Sequence, residues 1–120
     1  MNLQEINLPP RPDAEAELSR CIREVSQDPE IAEIWVYGSC ARGEATADSD
    51  VDLLVVKSSN AVPESRMGLE MARKISRLKL KLPVEAVVVT KDLLFERLKK
   101  PFGIYSDLAR NGRRLYARQT

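Results

Sequence analysis

No histidine occurs anywhere in these 120 residues. That absence removes serine–histidine and cysteine–histidine catalysis, together with every metal site built on imidazole. Phosphate chemistry with hard divalent ions stays open, because such ions take carboxylate and other oxygen ligands. Cysteine is almost as scarce, with Cys21 and Cys40 in unrelated segments. Two cysteines alone make no zinc site, and both are read as reduced thiols of an intracellular protein.

Charge of one sign is not in excess. With 19 basic against 18 acidic residues the formal net charge is +1. General nucleic-acid binding rests on a surplus of Lys and Arg and is therefore not expected, although a local basic patch is compatible with the count. No stretch approaches the roughly 20 apolar residues of a membrane span. The opening MNLQEINLPPRP carries acids and prolines and no long apolar run, unlike a signal or transit peptide. The expectation is a soluble, cytoplasmic protein with no membrane partner.

What is present suits a packed domain. The hydrophobic fraction is 43%, compatible with a core rather than wholesale disorder. The length fits one domain, with little room beside its core for an elaborate substrate domain. A large substrate would then meet mostly exposed surface, or be held by a partner. Residues 1–12, with Pro9, Pro10 and Pro12, read as a loosely packed N-terminal arm, and residues 13–120 as a single domain.

Along that domain the hydrophobic pattern alternates. Asp13 can cap a helix in which Leu18, Cys21, Ile22 and Val25 recur at helical spacing, and Asp28-Pro29 ends it. Residues 31–37 include Ile34, Trp35, Val36 and Tyr37, a strand-forming run stopped by Gly38. A helical turn over 39–42 and the polar loop GEATADSD follow. Next, VDLLVV (51–56) reads as a buried strand with acids at its entrance. Beyond the loop KSSNAVP, Met67, Met71, Ile75, Leu78 and Leu82 mark one face of a helix. Pro83 resets the chain for a third strand, VEAVVV (84–89). Thr90 can cap a further helix, with Asp92 in its first turn, Leu93, Leu94 and Leu98 inward, and Lys99, Lys100 and Pro101 at its close. A last helix over 104–110 is expected to stop at a left-handed Asn111-Gly112, with a short strand over 113–116. This order predicts an α/β fold, a small mixed sheet flanked by helices.

Three features carry chemistry. Gly38-Ser39 follows a strand, where glycine permits a sharp turn and close ligand approach. The free N–H groups and hydroxyl of a helical turn starting at Ser39 would favour a phosphate, although a Gly-Ser turn is also an ordinary connector. If the strand has begun at Asp50, Asp50 and Asp52, two apart, project from one face of it, roughly 7 Å apart along the backbone. Such a pair can bind one hard cation or bridge two held about 3.5–4 Å apart. By itself, the same segment also reads as a solvated strand entrance. Glu85 interrupts an apolar run, where a charge is costly unless paired or metal-bound. It equally suits an edge strand with the carboxylate facing solvent.

Taken together, these residues resemble a known signature. The stretch YGSCARGEATADSDVDLLVV is similar to that of the DNA polymerase β-type nucleotidyltransferase superfamily: Gly38-Ser39, ten residues from Cys40 to Ser49, then Asp50-Val51-Asp52. Ala41-Arg42-Gly43 and Ser49 also match the minimal nucleotidyltransferases (MNT), a small prokaryotic branch. LPVEAVVVT resembles the strand bearing the family's third carboxylate, and ARNGRRLY its usual end, so the likeness spans most of residues 13–116.

The resemblance implies a polymerase β-like fold and specific roles. Gly38 and Ser39 would hold the β- and γ-phosphates, with Arg42 steadying phosphate charge and Ser49 beside them. Arg42 suits a surface salt bridge as well. Asp50, Asp52 and Glu85 would be the catalytic and metal-binding carboxylates for one or two Mg²⁺ ions, with ATP as substrate. Glu85 departs from the aspartate usual at its position. The extra methylene shifts the carboxylate by about a bond length, a displacement to which in-line transfer is sensitive.

The implied activity is transfer of AMP, or another nucleoside monophosphate, from the triphosphate to a hydroxyl acceptor. Proteins resembling this one act as antitoxins beside a HEPN-type toxin, and the acceptor is then a tyrosine of that toxin. Two other readings remain: a non-catalytic nucleotide-binding antitoxin that neutralises its partner by occlusion, and a subunit modifying a small molecule or RNA end. Elsewhere, residues 73–81 read as the solvated basic face of a helix, or as a patch for RNA or an acidic partner. Met67 and Met71 read as core filler, and Trp35 and Tyr37 as sheet support.

Overall fold

The structure, a computed structural model, describes Leu3, residues 6–58 and residues 62–119. Met1, Asn2, Gln4 and Glu5 of the expected arm, Ser59, Asn60 and Ala61 of the KSSNAVP loop, and Thr120 lie outside the described residues.

Chain order is α1 (Ala14–Val25), β1 (Ile31–Tyr37), α2 (Ser39–Arg42), β2 (Val51–Lys57), α3 (Glu64–Ser76), β3 (Val84–Thr90), α4 (Lys91–Lys99), α5 (Ile104–Asn111) and β4 (Arg113–Ala117). The strands form one four-stranded sheet in the order β3-β2-β1-β4. Both pairs made by β1 are antiparallel, and β2 pairs with β3 in parallel. The sheet is therefore mixed, as the alternating pattern predicts, and β3 and β4 are its edges.

The period-2 alternation of β2 divides the core in two. Val51, Leu53 and Val55 join Ile34 and Val36 of β1 in a cluster closed by Leu18, Ile22 and Val25 of α1 and by Met67, Met71 and Ile75 of α3. Leu54 and Val56 face the other way, toward Tyr37, Val89, Leu94 of α4 and Leu108 of α5. A strand buried on both sides reads as a continuous apolar run, and that is how VDLLVV reads. Met67 and Met71 are core, as expected.

Several local expectations are corrected. Asp13 stands at the N-cap position of α1 but in a left-handed conformation (φ 61°) and without a capping hydrogen bond from its side chain. Helix α3 ends at Ser76, so Leu82 reaches the core from a loop rather than from the helix face. That loop turns at Lys79, with φ 55°. It is pinned by Glu17 of α1, whose carboxylate accepts from the Lys81 and Leu82 amides at 2.9 and 2.8 Å. Gly112 is not left-handed (φ −56°, ψ 143°). Glycine is needed there because a Cβ would run into the Leu108 carbonyl. Thr90 does cap α4, its hydroxyl accepting from the Leu93 amide at 3.3 Å. Of the three leucines expected to face inward on α4, Leu94 is buried, whereas Leu93 and Leu98 are 38% and 37% exposed. The nine-residue α4 packs with α5 on one face of the sheet through Leu94 and leaves Leu93, Phe95 and Leu98 partly or largely exposed.

The described part of the N-terminal arm is strapped down rather than loose. Asn7 donates its amide to the Cys40 carbonyl at 2.9 Å and accepts from the Ala45 amide through Oδ1 at 2.9 Å. Arg11 reaches the Ala47 carbonyl at 3.0 Å. Leu3, Ile6 and Leu8 pack on the main cluster. Among the described residues, no helix is long and apolar enough to cross a membrane.

Candidate active site

Strand register builds the centre of the site. Tyr37 of β1 is paired with Asp52 of β2, and Asp52 with Glu85 of β3. Directly paired residues point the same way, and neighbouring strands lie about 4.8 Å apart. The two carboxylates thus stand side by side on the α4/α5 face, at one end of the sheet. Asp52 is half-buried and Glu85 exposed. Burial pushes the Asp52 carboxyl above its ordinary value, and the charges of Glu85 and Asp50 push it further. Glu85 is exposed on an edge strand and stands in register with Asp52 of the neighbouring strand.

Asp50 immediately precedes β2 and is exposed. Its carbonyl accepts a weak contact from the Cys40 thiol at 3.7 Å, which ties the strand entrance to α2. Among the described residues, no three of Asp, Glu and Cys come together closely enough to hold a metal ion. The assembled element is the Asp52–Glu85 pair, with the Asp50 charge felt beside it. Oxygen-only donors and crowded like charge fit a hard divalent cation, which would offset the repulsion of Glu85 and Asp50 on the Asp52 carboxylate.

Gly38 makes the turn out of β1. Its φ of 74° and ψ of −156° lie where essentially only glycine goes. A Cβ there would also collide with the Asp52 carboxylate. Sterics and backbone geometry both demand glycine here, and they place the turn against the acid. Ser39, partly buried, opens the four-residue α2, which has no side-chain cap. Arg42 closes it, its Nε on Glu44 at 2.7 Å and its Nη1 on Asp107 at 3.1 Å. Ser49 lies in the turn before Asp50, and its hydroxyl accepts from the Thr46 amide at 2.8 Å. In this arrangement Ser49 closes the loop that delivers Asp50.

Asp107 was not legible as a site residue. It comes from α5, and its Oδ2 accepts from the Gly38 amide at 2.7 Å while its Oδ1 accepts from Asn111 at 3.0 Å. Burial raises its pKa, but the hydrogen bonds from Asn111, Gly38 and Arg42 outweigh burial and hold the carboxyl below its ordinary value. The i, i+4 spacing of Asp107 and Asn111 is visible in sequence. Nothing in sequence joins either residue to a glycine 69 positions earlier.

Three further groups qualify the chemistry. The Tyr37 phenol is pushed up to about 12, first by burial and then by Asp52 and Glu85, so it stays protonated at neutral pH. Burial also raises both thiols, Cys21 to about 11, which disfavours the thiolate. Trp35 is tied to Glu33 through its indole N–H at 2.8 Å and supports the sheet. A cleft of about 410 Å³ opens along β3, lined in part by Tyr37, Ile75, Ser76, Glu85 and Val87. A larger hollow, about 600 Å³, is lined by Leu8, Arg11, Asp13 and Ala14 and by none of the site residues.

A mixed sheet thus carries paired acids at the start of two parallel strands, beside a glycine turn. The model of the nucleotidyltransferase domain family matches residues 18–113, and the chain belongs to that family. The same fold occurs in a Sulfolobus solfataricus protein assigned to the nucleotidyltransferases, at 20% identity and TM-score 0.60 over 86% of this chain and 79% of that one. It recurs in a toxin–antitoxin structure with AMP-PNP, at 18% identity and TM-score 0.54, covering 88% of this chain and 74% of that one. A complex of a tri-AMPylated Shewanella oneidensis HEPN toxin with MNT antitoxin is also similar, at 15% identity and TM-score 0.51, covering 87% of this chain and 72% of that one. A sequence comparison with curated proteins finds no match.

Proposed function

We propose that this nucleotidyltransferase moves AMP from ATP onto a tyrosine of a HEPN-type toxin partner and thereby acts as its antitoxin. The acceptor oxygen attacks the α-phosphorus, the bond to the bridging oxygen breaks, and pyrophosphate leaves. The observation that carries this reading is the in-register pair Asp52–Glu85 on one sheet face, against the Gly38 turn. Mg²⁺, held by Asp52, Glu85 and Asp50, would supply charge neutralisation for the triphosphate and the leaving group.

The chain's own residues divide the remaining work. Gly38 and Ser39 offer the backbone turn and hydroxyl to the phosphate tail, and Arg42 offers its guanidinium. Ser49 fixes the loop carrying Asp50. Glu85, exposed at the cleft along β3, is on the acceptor side and takes up the proton of the attacking hydroxyl. The open edge of β3 lets a protein side chain enter without a domain to enclose it. The resemblance to structures holding a HEPN toxin and MNT antitoxin supports the partner, and the AMP-PNP relative supports the nucleotide. Residues 13–120 act here as one domain.

One observation favours a non-catalytic alternative: the three acids are not drawn together around a common point. In that case, the partner is neutralised by occlusion. Incubation of the chain with labelled ATP, Mg²⁺ and a HEPN-type partner protein separates the two. The expected result is one AMP on a partner tyrosine with equivalent release of pyrophosphate, lost in Asp52→Asn by about 100-fold or more. Neutralisation without pyrophosphate release, unchanged in Asp52→Asn, would establish occlusion instead.

A further inference from the structure

Two of the donors assigned to the triphosphate are already engaged by an anion of the chain itself. Asp107 Oδ2 accepts from the Gly38 amide at 2.7 Å and meets Arg42 Nη1 at 3.1 Å. Asn111 holds the second carboxylate oxygen at 3.0 Å, so the group is aimed from α5 rather than resting there by chance. The Asp107 side chain is 21% exposed, screened enough for these charge-assisted bonds to matter and open enough to be reached from solvent.

The surrounding charge sharpens the point. Arg42 is shared between Glu44 and Asp107, while Asp50, Glu85 and Asp107 all act on Asp52. An anion approaching this end of the sheet finds the one guanidinium of α2 taken and several carboxylates around it. A single phosphate would exchange one carboxylate for another anion of similar reach. A metal-bound polyphosphate brings more contacts and its own cation, and so has a surplus with which to displace the tethered group.

We propose that Asp107 is a specificity-determining residue, a tethered rival that must yield Gly38 and Arg42 before a triphosphate can bind. The proposal rests on the reading that these two residues receive the triphosphate. Displaced, Asp107 keeps its Asn111 partner, so α5 need not unfold when the nucleotide enters. The role is distinct from that of a strut: a strut helps the site form and its loss weakens binding, whereas loss of a rival strengthens it.

Calorimetric titration of the whole chain with Mg·ATP, and separately with tripolyphosphate, distinguishes them. Asp107→Asn keeps an acceptor for the Gly38 amide and removes the charge. The expected outcome is affinity raised roughly tenfold for both ligands, the scale of one charge-assisted hydrogen bond. In an Arg42→Gln background that gain should shrink, because one of the two contested donors is gone and only the Gly38 amide is left to compete for. Unchanged or weaker binding by Asp107→Asn overturns the proposal while leaving nucleotide binding by the wild-type chain intact. An undiminished gain in the Arg42→Gln background also overturns it, since the charge would then act at a distance. If neither wild type nor Asp107→Asn binds Mg·ATP, the triphosphate reading fails and takes this one with it. A second measurement needs no variant: on saturation with tripolyphosphate, the carboxyl-carbon resonance of Asp107 should move together with the Gly38 amide. A stationary Asp107 signal beside a shifted Gly38 amide contradicts displacement.

Discussion

On the α1/α3 side of the sheet, Ile34, Val36, Leu53 and Val55 are at most 1% exposed and meet a continuous apolar layer. On the α4/α5 side, the same strands present Trp35, Tyr37, Asp52 and Leu54, while Phe95 of α4 and Phe102 of the segment joining α4 to α5 are 67% and 88% exposed. The polar residues of the site gather at the end of this second face, where cover runs out. One side is built for burial, and the other gives up burial so that carboxylates and a glycine turn can meet solvent. A single strand, β2, serves both because adjacent side chains point to opposite faces.

The largest effect that tests this contrast is on the sealed side. Ile34→Ala removes a fully buried side chain from a close-packed layer and should destabilise by about 2–5 kcal/mol in urea denaturation. Leu94→Ala, at the edge of the half-covered face, should fall at or below the lower end of that range, because a site near solvent relaxes more readily. Equal losses would mean that the two faces are equally packed. Gly38→Ala is expected to be next, at about 1–3 kcal/mol from the strained backbone. Because its methyl displaces Asp52, nucleotide transfer should fall further than stability alone explains.

The smallest effect concerns Asp52 itself. Its folded pKa is raised, so the folded state holds a proton that the unfolded chain has already lost. Its contribution to stability is therefore full below the ordinary carboxylate range and lost as pH rises through the raised value. At neutral pH the ionised group is a burden on the free protein. Asp52→Asn should melt at the same temperature as wild type or a few degrees above it. Mg²⁺ should raise the melting temperature of wild type and leave the variant unmoved. A variant that melts well below wild type at neutral pH would show Asp52 to be a structural residue.

Much of this molecule is readable before folding is considered. Leu18, Cys21, Ile22 and Val25 announce α1, and VDLLVV announces a doubly buried strand, since periodicity is a local property. The spacing from Gly38-Ser39 to Asp50 and Asp52 is local in the same sense and carries the family likeness. Errors fell where non-local contacts decide. Leu82 has helical spacing, but Glu17 from another helix captures the Lys81 and Leu82 amides and holds them in a loop. Gly112 looks like a left-handed stop, yet it is required by the nearness of the Leu108 carbonyl. The arm with three prolines looks loose, yet Asn7 and Arg11 find carbonyl and amide partners on α2 and the following loop.

The amino-acid order by itself determined the element sequence, the glycine turn and the choice of oxygen-bearing side chains for the chemistry, because each depends on residues within a few positions of one another. Tertiary structure alone decided that Glu85 stands beside Asp52 and that Asp107 reaches the Gly38 amide. Both depend on strand register and helix docking across tens of residues, and no local propensity encodes which distant partner an acid will meet.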